Sequence, residues 1–157
     1  MSDDQLKLAA LDADDLEVIS AHLQDAVLRI GDMTWLPAEH RFAAVLNRFD
    51  WEHGISRDKG PWRRRQTGFS FDRVLNAQVR NLRTDQPEAV LELLAVEFEP
   101  GDPPGGTVIL QFAGGGAVRL QLECIEARLS DLGPIWETVS RPEHEDAGED
   151  QREDSAT

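Results

Sequence analysis

Residues 107–124 read TVILQFAGGGAVRLQLEC, and this stretch decides the fold class. Thr107 to Phe112 is a run of β-branched and apolar residues. From Ala117 to Cys124, Val118, Leu120, Leu122 and Cys124 alternate with Arg119, Gln121 and Glu123. A period of two puts one set of side chains on each face of a strand. Between the two arms, Gly114, Gly115 and Gly116 supply the positive φ angles that a tight turn or a bulge requires. A phosphate-cradling loop needs a strand that leads into a helix; here another strand follows, so the glycines belong to a hairpin. The second arm has an apolar continuation as far as Leu129.

The same pattern extends upstream. Residues 100–106, PGDPPGG, form a loop that no strand tolerates. Ala89 to Phe98 and Phe69 to Leu82 read as strands, separated by the turn signal Asp85-Gln86-Pro87; in the earlier one Phe69, Phe71, Leu75, Ala77 and Val79 keep mostly to the period of two. Ala26 to Leu36 and Arg41 to Trp51 are two further β-rich runs, joined as a hairpin across residues 37–40. The second has two partly apolar faces, which suits a central strand. Leu6 to Leu11 forms a short first strand. Asp12 then caps a helix whose Leu16, Ile19 and Leu23 fall at helical spacing, with Asp14 and Asp15 near the positive end of the helix dipole.

Together these elements predict an α+β domain, mainly antiparallel β, with about seven hairpin-linked strands and one N-terminal amphipathic helix packed on the sheet. The alternative is a pleckstrin-homology-like, partly closed barrel, although the helix of that fold comes last and this one comes early. After Gly133-Pro134, residues 135–139 form a final helical turn or dock Trp136. Residues 142–157 hold seven acids and one arginine with almost no apolar residues. They read as a disordered acidic tail, leaving residues 1–141 as a single globular domain.

Four segments resemble an uncharacterised family found mainly in alphaproteobacteria, one of the numbered domains of unknown function (DUF2948-like). They are LKLAALD at residues 6–12, LNRFDWE at residues 46–52, FDRVL at residues 71–75, and the glycine-rich hairpin running on into CIEARLSDLG, which ends at Gly133. The resemblance implies a free-standing, cytoplasmic, single-domain bacterial protein. It implies no activity, cofactor or catalytic residue.

Composition narrows the function classes. The formal net charge is -14, yet nine of the sixteen basic residues lie between Arg48 and Arg83, where only four acids accompany them. A field so segregated gives an acidic body one positive face, which steers anionic partners. The acidic total argues against wholesale coating of nucleic acid. The single cysteine, Cys124, excludes an intramolecular disulfide and suits a reducing, cytoplasmic compartment. Its alternation and its acidic neighbours mark it as a core residue rather than a reactive thiol. No run of apolar residues is long enough to span a membrane, so no membrane partner is expected.

Glu52 to Gln66 breaks the strand periodicity and reads as a long basic loop. Arg48, Trp51, Trp62, Arg63, Arg64, Arg65 and Phe69, in and beside it, interleave aromatic and guanidinium groups and are the candidate binding residues. Such a surface pairs with carboxylates on a protein partner or on a second copy of this chain. The same chemistry also binds single-stranded RNA or another polyanion weakly. The bland alternative is a solvated loop whose arginines pair with the chain's own acids while the tryptophans plug the core. A third reading, an enzyme acting on a small anionic substrate, has only Arg48, Asp50 and Glu52, with His53, to offer. No nucleophile or oxyanion motif accompanies them. Glu143-His144-Glu145-Asp146 suggests adventitious divalent binding at most, so neither metal nor cofactor is expected. His22 reads as a boundary residue of the helix, and His40 as an exposed turn residue. The favoured reading is a non-enzymatic module that binds a protein or itself through the basic loop.

Overall fold

In a computed structural model, residues 5–49, 62–132 and 136–138 are described, with side chains for residues 5–49 and 64–132. Eleven strands and one helix occur among them: β1 (Lys7–Ala10), α1 (Ala13–Leu23), β2 (Val27–Arg29), β3 (Met33–Leu36), β4 (Arg41–Phe49), β5 (Trp62–Phe71), β6 (Val74–Arg80), β7 (Val90–Pro100), β8 (Gly106–Phe112), β9 (Ala117–Leu122), β10 (Ala127–Asp131) and β11 (Trp136–Thr138). Short 3₁₀ turns at Ile30–Asp32 and Pro37–Glu39 divide the predicted Ala26–Leu36 run into β2 and β3 and join β3 to β4. Pairing is antiparallel throughout, in the order β1-β10-β5-β4-β2-β7-β8-β9-β6, with β3 beside β4 and β11 beside β5. The α+β class therefore stands. Among the described residues the path ends at β1 and β6, so the sheet is not a closed barrel, which counts against the pleckstrin-homology-like alternative.

Two long predicted strands are in fact kinked together. β5 passes into β6 through Asp72 and Arg73, and β9 passes into β10 through residues 123–126. Phe71 pairs with Ala127 before the kink and Val74 with Leu122 after it, so two residues on one side oppose four on the other. Arg73 takes the left-handed conformation (φ 62°), and the ribbon is stitched across the bend by Asp72 N–H to Glu126 O and Glu123 N–H to Arg73 O, both 2.9 Å. Cys124 lies in this bend and is half-buried rather than a core residue.

Asp12 caps α1 as predicted, its carboxylate accepting from Asp15 N–H at 2.8 Å. Leu16, Ile19 and Leu23 are buried against the sheet, chiefly over β7. Beneath the helix, Phe42, Ala44 and Leu46 of β4 share the inner face with Phe69 and Phe71 of β5 and with Ala127 and Leu129 of β10. The Phe69 and Phe71 rings meet edge-on at 5.1 Å. No helix among the described residues is long and apolar enough to cross a membrane.

Candidate binding surface at the end of β4 and β5

Toward the C-terminal end of β4 the inner face changes character. Phe71 opposite Phe42 and Phe69 opposite Ala44 give way to Thr67 opposite Leu46, and then to Arg65 opposite Arg48. Both guanidinium side chains are buried, Arg65 at 0% and Arg48 at 1% exposure. Like charges directly across a strand pair repel, and a buried charge is costly unless matched. The match comes from the other edge of β5, where Asp131 of β10 sits opposite Thr67. Arg48 donates to both carboxylate oxygens, Nε to Oδ1 at 3.0 Å and Nη2 to Oδ2 at 2.8 Å. Thr67 Oγ1–H donates to Oδ1 at 2.8 Å, the Leu6 N–H to Oδ2 at 2.7 Å, and Arg65 Nε lies 3.6 Å away. Asp131 N–H in turn donates to Leu6 O at 3.0 Å. One carboxylate thus fastens the start of β1 and the ends of β4, β5 and β10. Arg48 and Arg65 make further interactions besides these.

Burial alone would push the Asp131 carboxyl up. The hydrogen bonds from Arg48, Leu6 N–H and Thr67, with the Arg48 charge, outweigh it and hold the group below the usual carboxylate range. A carboxylate held ionised in this way is a poor proton acceptor at neutral pH. Its role is to fix two arginines in place.

The opposite face of the same strand ends carries Phe49 and Arg64, which are cross-strand partners. The Arg64 guanidinium lies 4.2 Å above the Phe49 ring centroid, a cation–π contact, and Arg64 is only half-buried. β11 adds a third strand here, pairing Trp136 with Arg64 and Glu137 with Arg63.

The candidate binding residues therefore separate. Trp62 to Gln66 belong to strand β5, not to the predicted basic loop, and the remainder of that loop, residues 52–61, lies outside the described residues. Arg48 and Arg65 face the interior, where Asp131 holds them, and Phe69 is core. Arg64 reaches the surface. The backbones of Trp62 and Arg63 lie in β5, while Trp51, Asp50, Glu52, His53 and the cluster at residues 143–146 fall outside the described residues. His40 is exposed in its turn and His22 is half-buried on α1.

Asp131 escaped the sequence reading. Its signal was present, because Ala127, Leu129 and Asp131 share one phase of the strand alternation, and an acid in an inward phase demands a buried cation.

Neither a curated protein nor a solved structure matches this chain. A family model described as a protein of unknown function (DUF2948) matches residues 6–144, and the chain belongs to that family.

Proposed function

We propose that this chain is a non-catalytic interaction module that takes hold of a protein partner, or a second copy of itself, through the Trp51–Phe69 segment. The observation that carries the reading is the stacking of a half-exposed Arg64 on Phe49 at the strand ends that flank residues 50–61. A guanidinium already held over an aromatic ring loses less freedom on binding a carboxylate than an unrestrained arginine does. Arg48 and Arg65 serve as the rigid base of this surface, and Phe69 anchors it in the core. Trp51, Trp62 and Arg63 are the other contact residues of the proposal.

The decisive variant is Arg64→Glu, because it reverses a surface charge and leaves the interior ion pairs intact. Partners captured from nuclease-treated lysate by the wild-type chain should be lost from the variant, while its unfolding midpoint stays close to wild type. Equal capture by both proteins would overturn the assignment. Capture that depends on nucleic acid and vanishes with salt would transfer the site to a polyanion.

A further inference from the structure

The geometry points to a second interaction site, independent of the first: the free edge of β6 accepts an added antiparallel strand from an extended acidic peptide segment in which apolar and acidic residues alternate. Among the described residues β6 ends the hydrogen-bonded path and pairs only with β9. Its other edge presents alternate N–H and C=O groups that a further strand can use. Natural edges are commonly blocked by proline, inward charges or short length. β6 runs for seven residues as VLNAQVR, with no proline and a single charge at its end. Its one irregularity is the bulge at Leu75, after which the register runs unbroken from Asn76 opposite Gln121 to Arg80 opposite Ala117.

The two faces of this edge specify the occupant. Ala77 pairs with Leu120 and Val79 with Val118, and both of those β9 residues are buried, so Ala77 and Val79 continue the core row outward. The row stops short, since Val79 is 52% exposed. Apolar residues of an added strand would lie beside it and complete the row. On the other face Gln78 pairs with Arg119, one step from Arg80, and these residues with Val79 line an open depression of about 330 Å³. Among the described residues neither Arg80 nor Arg119 has a carboxylate partner, in a chain whose net charge is -14. A second copy of β6 would bring another Arg80 and Arg119 to the same seam and place four cations along it. An acidic strand supplies the missing carboxylates.

The test uses the full chain and a synthetic peptide, acetyl-(Val-Glu)₄-amide, read by amide hydrogen exchange. The expected result is saturable slowing of exchange at Asn76–Arg80. The Val-Lys counterpart should give none, and neither should a Val-Glu peptide N-methylated at the residues that face the edge. The pair Arg80→Glu and Arg119→Glu should weaken binding by about tenfold, the scale of two exposed ion pairs turned repulsive. Should that variant fold poorly, the peptide comparisons still decide. Absence of protection on β6, equal binding of the Val-Lys peptide, or concentration-dependent protection of the same amides with no peptide present would each overturn the assignment, the last in favour of a second copy.

Discussion

Arg48 and Asp131 stand 83 residues apart in sequence and meet through two parallel hydrogen bonds of 2.8 and 3.0 Å, with both side chains at or below 1% exposure. Removing one partner of such a pair leaves a buried charge without its counter-charge, which costs about 3–5 kcal/mol. Asp131→Asn should therefore lower the free energy of unfolding by that order in urea titration. The loss should exceed that of Arg48→Met, because the asparagine variant leaves both Arg48 and Arg65 in the interior. An Asp131→Asn protein as stable as wild type would mean that the cluster is held by other groups.

The same carboxylate gives a pH dependence with a definite sign. Its folded pKa lies below that of the unfolded chain, so its contribution is complete above the ordinary carboxylate value of about 4 and is lost as pH falls through the folded value. The stability gap between wild type and Asp131→Asn should be constant from neutrality down to about pH 4.5 and then close. Measuring the difference cancels the remaining acids of this acid-rich chain. A gap that widened on acidification would reverse the assignment.

Local pattern made much of this legible in advance, and non-local pairing did not. The cap at Asp12, the Leu16–Ile19–Leu23 stripe and the 114–116 turn depend on neighbours in sequence, and each is found where the residues place it. The kink at Asp72 and Arg73 is invisible to periodicity, because Phe69, Phe71, Ala77 and Val79 keep an odd phase across it. The Leu75 bulge restores the count that the bend removes. Arg65 reads as loop in the sequence because charges crowd around it. Its burial draws on Asp131, which arrives from another strand; the phase of Asp131 marks it as inward, but no spacing says which cation it meets.

Ser20 shows a similar long reach on a smaller scale. It sits on α1 between the buried Ile19 and the exposed Ala21, and its Oγ accepts from the Val96 N–H of β7 at 3.0 Å. The β7–β8 register shifts between Leu93 and Ala95, next to this contact. Ser20→Ala would strip a partner from a backbone donor beneath the helix, at a cost of about 1–3 kcal/mol despite the better helix propensity of alanine. Thermal or urea unfolding checks this. The Val96 amide should also exchange faster in the variant than its β7 neighbours do, whereas a uniform change along β7 would point to general loosening.

The last two glycines of the turn should respond to alanine for different reasons. Gly115 has φ 96°, and a Cβ there would meet nothing within 4 Å, so Gly115→Ala carries a purely backbone cost of about 1–2 kcal/mol. Gly116 lacks the positive φ, but a Cβ on it would collide with the Leu82 side chain and come within 3.1 Å of Asn81 O. The cost of Gly116→Ala is therefore steric, and truncating its neighbour should relieve part of it. In a double-mutant cycle with Leu82→Ala, Gly116→Ala should be clearly non-additive, with the pair less damaging than the sum of the singles. Gly115→Ala should add to Leu82→Ala within about 0.5 kcal/mol, because no side chain mediates its penalty. Additivity in both cycles would mean that Leu82 moves aside without resistance, and that backbone conformation alone selects glycine in this hairpin.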